Sequence, residues 1–307
     1  MIDAIGVVFP RANEIELQQI QLPDPGPEDV VVETEYSGIS IGTEGWLLTG
    51  TYWGTTFPLL TGYQKVGIVT HCGDQVQGCS VGDRVFLRHT TLASPIRPMW
   101  AGHTSRSVCH CGQLIPVPEA ADPVSASLLV MVAVGYHGSC ELVDVQPGDL
   151  VVVIGQGLIG QFAAQACKQR GCTVITTEPH DLRRQLSARL GADVIVDCSA
   201  NAAAVNASFE WLKNRGSKYC FQAYYPDLTP IDMLWPHVKE MVGYFPTNVT
   251  DAGMREMMQW IADGRAQVRP LLTHLRGWRD APELFRLMMD QTSDCLGMVL
   301  DWQGCHD

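Results

Sequence analysis

The sequence predicts an α/β protein with two domains, one β-rich and barrel-like, the other a doubly wound nucleotide-binding domain. Three observations carry this. The opening residues form short apolar runs broken by Pro and Gly, residues 150–178 read strand, glycine turn, helix and strand, and 307 residues are enough for two separate cores.

The β-rich part begins with strand signals at Ala4 to Phe9, Glu14 to Ile20 and Asp29 to Tyr36, with the turn Pro23-Asp24-Pro25-Gly26-Pro27 before the third. The segment Ser37-Gly38-Ile39-Ser40-Ile41-Gly42-Thr43-Glu44 follows, then an aromatic stretch with Trp46, Tyr52, Trp53 and Phe57. Residues 58–69, Pro-Leu-Leu-Thr-Gly-Tyr-Gln-Lys-Val-Gly-Ile-Val, and a turn-rich link lead to the strand Val85 to Leu87. Ala126 to Val143 reads as one buried helix, and Gln146-Pro147-Gly148-Asp149 as the turn that opens the second domain.

That domain is organised around Leu150 to Glu178. The run Leu150 to Ile154 ends in Gly155-Gln156-Gly157-Leu158-Ile159-Gly160, and a helix leads to a second strand at Thr173 to Thr177. Gly155 is needed to turn tightly, Gly157 to admit a pyrophosphate to the backbone, and Gly160 to pack helix on strand. Gln156, Leu158 and Ile159 complete the turn and the helix N-terminus, whose free N–H groups and dipole favour phosphate. Glu178, 18 residues after Gly160, can accept hydrogen bonds from the ribose hydroxyls, which favours NAD. Arg183 or Arg184 could instead reach a 2′-phosphate, so NADP stays open. Leu182 to Leu190 reads as a helix, Val194 to Asp197 as a strand, Ala202 to Asn214 as a helix, Lys218 to Tyr225 and Met241 to Phe245 as strands, and Asp251 to Asp263 as a helix. The space between Ala192 and Gly216 is short for another βα unit, so the sheet is expected to be trimmed below six strands.

A net charge of −12 argues against nucleic acid, which requires a basic patch. No basic n-region with a long apolar h-region stands at the N-terminus, and no apolar run of membrane-spanning length occurs. The 11 scattered cysteines suit a reducing cytoplasm and free, mostly buried thiols.

The order strand pair, Ser37-Gly38-Ile39 with Gly42-Thr43-Glu44, Pro58 to Val69 with Gly62-Tyr63 and Val66-Gly67, Val81-Gly82-Asp83-Arg84-Val85 and the later glycine turn resembles the medium-chain dehydrogenase/reductase superfamily over nearly the whole chain. The resemblance implies a GroES-like barrel catalytic domain, made discontinuous (1–124 and 268–307), around a Rossmann domain (125–267). It also implies a homodimer. Members typically carry a catalytic zinc, yet this chain has Ser40 where they show Cys, Tyr63-Gln64 where they show His-Glu, and Val130 at a later ligand position. None of these is a normal zinc ligand. The four-cysteine structural lobe is absent too, and Cys109 with Cys111 reads as strand residues. The resemblance therefore implies a zinc-independent enzyme that interconverts a secondary alcohol and a ketone by hydride transfer. Ser37 to Ser40, Gly62-Tyr63, Leu272-Thr273-His274 and Asp294 to Trp302 resemble a short branch acting on a hydroxyethyl-bearing chlorin-type substrate, although Gln64 departs from it. A quinone or enoyl reductase, and a non-catalytic nucleotide-binding protein, stand as alternatives.

Without zinc, Tyr63 is the first candidate general acid or base, its competitor being a tyrosine bonded in the cavity the metal left. Lys65, two residues on, would share its face on a strand and lower its pKa. Thr43 is either a hydroxyl relay or a helix N-cap, and Glu44 a first-turn acid or part of the relay. His103, His137 and His274 are further candidates. Trp46, Tyr52, Trp53, Phe57 and Trp100 could line a flat apolar pocket or belong to the core.

Overall fold

A computed structural model describes residues 1–93, 95–177, 191–225, 228–290 and 294–305. The chain divides into two compact units, Met1–Leu129 with Met258–Gly264 and Val268–Asp307, and Val130–Met257 with Arg265–Gln267.

The first unit opens with β1 (Ile2–Phe9), β2 (Glu16–Leu22), β3 (Asp29–Ile39) and α1 (Ile41–Thr49). It continues through β4 (Leu59–Leu60), β5 (Lys65–Cys72), β6 (Arg84–Leu87), β7 (Arg97–Pro98), β8 (Arg106–His110), β9 (Ile115–Pro116) and the short α2 (Pro123–Ala126). β1 and β2 pair antiparallel from Ile2 against Leu22 to Val8 against Glu16, and β1 continues onto β4. The long β3 anchors the larger sheet, pairing with both β5 and β8. Its outer half runs on to the C-terminal strand β16 (Gly297–Asp301), whose other neighbour is β15 (Leu272–Gly277). α8 (Ala281–Asp290) buries Leu284, Phe285 and Met288 against Val7, Phe9, Ile39 and Leu47, which closes the core beneath α1.

The second unit holds α3 (Leu129–Tyr136), β10 (Leu150–Ile154), α4 (Leu158–Gln169), β11 (Thr173–Thr177), β12 (Val194–Asp197), α5 (Ala202–Ser208), β13 (Lys218–Phe221), α6 (Leu234–Val238), β14 (Val242–Tyr244) and most of α7 (Asp251–Ala262). Five strands among the described residues form one parallel sheet in the order β11-β10-β12-β13-β14, one short of a six-stranded doubly wound sheet.

Two expected helices are shorter than their sequence patterns. The stretch 126–143 is broken into α2, α3 and a π-turn at His137–Leu142, where the Ser139 hydroxyl donates to the Gly135 carbonyl and competes with the α-ladder. α5 starts as expected, capped by the Asn201 carboxamide on Ala203 and Ala204 N–H. It ends early because Leu212 turns extended to bridge Ala192. The expected helix Leu182–Leu190 lies outside the described residues. All 11 cysteines are free, but only Cys109, Cys140, Cys167, Cys220 and Cys295 are fully buried, the other six being half-buried.

Candidate active site

Two glycines bring the first unit's polar residues together. Gly62 has φ +91°, and a Cβ there would stand 2.6 Å from the His103 backbone N and 2.7 Å from its ring. A Cβ on Gly102 would meet the Gly62 carbonyl carbon at 2.5 Å. Only with both side chains absent can segments 61–63 and 101–103 touch, with Gly102 N–H donating to Gly62 O (2.7 Å) and His103 N–H to Thr61 O (3.0 Å).

Tyr63 is almost wholly buried, and its phenol lies beside the Ser40 and Thr43 hydroxyls. Burial pushes its pKa up to about 12, the two hydroxyls and Arg88 working against that and the Glu44 charge with it. Trp100 packs edge-on against the Tyr63 ring at 5.1 Å, and Tyr52 against Trp100 at 6.2 Å. Trp100 and Ala101 both hold positive φ, +68° and +59°, an uncommon conformation for such residues that puts backbone strain beside Tyr63.

The helix N-cap is Ser40, not Thr43, and its hydroxyl makes no capping bond. Glu44 performs the reciprocal half of a capping box instead, accepting the Ser40 N–H at 2.8 Å. That leaves the Ser40 hydroxyl to Tyr63, with Thr43 one turn along. The other Glu44 oxygen is 2.8 Å from His103 Nε2, His103 Nδ1 is 2.8 Å from Ser37 Oγ, and Trp302 Nε1–H donates to Ser37 Oγ at 2.8 Å. Ser37, Glu44, His103 and Trp302 have no solvent exposure at all.

Several expectations need correction here. Lys65 does not act on Tyr63: β5 begins only at Lys65, so strand alternation does not extend back to residue 63. The Lys65 ammonium points instead to Thr104 Oγ1 (2.6 Å) and Thr90 Oγ1 (3.0 Å), and the Tyr63 pKa rises rather than falls. His103 does not face a substrate side, being sealed between Ser37 and Glu44. Trp53 does not line a pocket with its aromatic neighbours, since it is 84% exposed beyond the Gly50 cap, and Phe57 and Tyr52 pack partly into the core with Trp100. Trp46, on α1, packs near the Gly42 backbone. His137 pairs with Glu141 at 2.7 Å, and His274 with the Thr273 hydroxyl at 2.9 Å, each a local pairing.

In the second unit the glycine turn has the geometry its spacing implies. Gly155 has φ +86°, and a Cβ there would meet the Cys198 carbonyl carbon at 3.0 Å. One on Gly160 would stand 1.9 Å from the Gly155 oxygen. Gly157, the cap of α4, has nothing within 4 Å of where a Cβ would be, an open cradle before a helix N-terminus. Leu158, Ile159 and Gly160 form the first turn of α4, and Gln156 folds back so that its amide donates to Gly155 O (3.1 Å) while its oxygen accepts from Gln161 (3.1 Å). Glu178 and Arg183 lie outside the described residues.

The wall of this turn is one feature the sequence reading missed. Asp197 ends β12 buried, accepts the Ser199 hydroxyl at 2.6 Å and the Tyr225 hydroxyl, and is pushed up from the usual carboxylate range by burial. Only the strand-terminal Asp197-Cys198-Ser199 run signalled it. Gln64, read in the sequence only as a departure from the family pattern, is fully buried, and neither amide atom has a partner.

The alcohol dehydrogenase GroES-like domain family matches residues 26–119. The chain is 27% identical over 318 residues to 2-desacetyl-2-hydroxyethyl bacteriochlorophyllide A dehydrogenase of Cereibacter sphaeroides, covering 97% of this chain and 98% of that one. The chain carries an alcohol dehydrogenase GroES-like domain and is similar over nearly its whole length to a dehydrogenase of the medium-chain dehydrogenase/reductase type. Solved structures share the fold throughout. An Escherichia coli oxidoreductase/dehydrogenase of unknown specificity superposes with a TM-score of 0.85 at 19% identity, over 98% of this chain and 99% of that one. A Sinorhizobium meliloti dehydrogenase, described as zinc-binding and bound to NADP, gives 0.82 at 18% identity, over 98% and 100%. Zinc is common in this superfamily, but the residues here do not suit it. Ser40, Tyr63 and Gln64 offer no thiolate, imidazole or carboxylate, and no three His, Cys, Asp or Glu side chains cluster among the described residues.

Proposed function

We propose that this protein is a nicotinamide-dependent oxidoreductase that interconverts a secondary alcohol and a ketone without a catalytic zinc, and that Tyr63 transfers the proton. The observation that carries the proposal is the buried Tyr63 phenol beside the Ser40 and Thr43 hydroxyls, where the family resemblance puts metal ligands. A bound nicotinamide dinucleotide supplies or accepts the hydride. Gly157 and the first turn of α4 would hold its phosphates, and we take NAD to be preferred. In reduction, the protein's part is to give the phenolic proton to the carbonyl oxygen as its carbon gains the hydride. A phenol kept neutral is an acid at physiological pH, while alcohol oxidation requires its scarce phenolate. The Thr43 hydroxyl would pass that proton onward. Trp100 and Tyr52 offer flat apolar surface beside Tyr63, which suits a large ring-bearing substrate such as the bacteriochlorophyllide named for the Cereibacter relative.

The test begins with metal-stripped protein titrated by fluorescence with NADH and, separately, NADPH. Tighter NADH binding, by tenfold or about 1.4 kcal/mol, supports the NAD reading, while failure of both to bind removes the enzyme reading. A panel of hydroxyethyl-bearing and other secondary alcohols, ketones, quinones and simple enones follows, with Tyr63→Phe alongside. Turnover of quinones and enones alone, or a Tyr63→Phe protein as active as its parent, overturns the assignment.

A further inference from the structure

Ser37, Glu44, His103 and Trp302 form a hydrogen-bonded chain with no solvent contact that ends on the helix turn carrying Ser40 and Thr43. Hydrogen-bond direction fixes its protons. Trp302 Nε1 can only donate, so Ser37 Oγ accepts from it. The proton of Ser37 then has His103 Nδ1 as its acceptor, at 2.8 Å. His103 Nδ1 is therefore bare and Nε2 carries the hydrogen, which points to Glu44 Oε2 at 2.8 Å. Glu44 accepts at both oxygens, from His103 and from the Ser40 N–H, as an ionised carboxylate does. Edge-on packing of Phe285 against the imidazole at 5.9 Å, and the crossing of Gly62 under its ring, leave His103 no other place to turn.

We infer that Glu44 and His103 are positioning residues for the reaction: neutral His103, protonated on Nε2, holds the Glu44 carboxylate, and that carboxylate holds the first turn of α1 so that the Ser40 and Thr43 hydroxyls meet the Tyr63 phenol. The inference rests on the role proposed for Tyr63. The pair has two effects on Tyr63. It fixes geometry through Ser40, and the Glu44 charge works with burial to keep the phenol protonated against the opposing pull of Arg88.

The variants Glu44→Gln, His103→Gln and Tyr63→Phe separate these effects. His103→Gln presents an acceptor oxygen toward Ser37 and an N–H toward Glu44, so it should keep kcat within about threefold, whereas His103→Leu, which offers neither, should lose about tenfold or more. Glu44→Gln removes the charge but keeps an acceptor for the Ser40 N–H. Its alkaline limb in the pH profile of ketone reduction should move to lower pH, with cofactor KM unchanged, a shift that loss of packing alone does not produce. Identical pH profiles for Glu44→Gln and the parent, with Tyr63→Phe inactive, overturn the inference and leave the Tyr63 reading standing. An active Tyr63→Phe overturns the Tyr63 reading itself. Should the variants not fold, nitrogen NMR of histidine-labelled parent protein decides: His103 must show a bare Nδ1 and a protonated Nε2 at neutral pH, and a doubly protonated ring refutes the assignment.

Discussion

Replacing Lys65 with methionine should stabilise this protein at neutral pH and flatten its stability against pH. The Lys65 ammonium is fully buried, its nearest partners are neutral threonine hydroxyls, and burial pushes its pKa from 10.5 down to about 7. Each tenfold change in acidity is worth about 1.36 kcal/mol, so folding with this side chain costs roughly 5 kcal/mol at pH below 7, where it must enter the core charged. Between the folded value near 7 and the unfolded value of 10.5 the unfolded chain binds the extra proton, so stability rises with pH through that window. From pH 7 to pH 9 the gain integrates to about 2 kcal/mol. Lys65→Met removes the cost but also two hydrogen bonds of about 1 kcal/mol each. Thr90 keeps its 2.7 Å partner Ser107, so the net gain at pH 7 should be about 2 kcal/mol. Urea unfolding of parent and variant at several pH values between 6 and 9 measures both effects. A variant less stable than its parent at pH 7, or a parent-minus-variant difference that does not change with pH, would refute the reasoning.

Other outcomes follow from the same structure. Gly157→Ala should fold like the parent, because nothing lies within 4 Å of the new methyl, yet bind NADH at least tenfold more weakly; Gly160→Ala, with a methyl 1.9 Å from the Gly155 oxygen, should lose stability first, and calorimetry beside a cofactor titration tells the two apart. Ketone reduction should be flat with pH across the neutral range, while alcohol oxidation climbs about tenfold per pH unit toward the Tyr63 value near 12, as initial rates in both directions will show. The short edge strand β14, with Val242 exposed within it and Phe245 exposed just after it, should pair with a second copy, so Val242→Lys should shift the mass found by analytical ultracentrifugation from dimer to monomer.

The parts of this molecule legible in the sequence are those where one residue type has one local use. Gly155, Gly157 and Gly160 each answer to a steric demand set within a few residues of chain, and the apolar runs at Leu150–Ile154, Thr173–Thr177 and Val194–Asp197 became strands with the boundaries their patterns imply. Tyr63 is singled out differently, by the family resemblance, because it stands where relatives show His. Helix length was less legible, because the Ser139 hydroxyl and the Leu212 bridge act through partners that periodicity does not contain.

The sequence by itself determined the fold class and the glycine turn, since both are matters of residue type and spacing. Only the tertiary structure decided which groups meet. His103 lies 59 residues from Glu44 and 66 from Ser37, Trp302 lies 265 residues from Ser37, and Lys65 sits two positions from Tyr63 yet turns toward Thr104. The physical reason is that a buried polar group goes where its hydrogen bonds can be completed, and that place is set by how β3, α1 and β16 pack around the crossing of Gly62 and Gly102, not by neighbours along the chain.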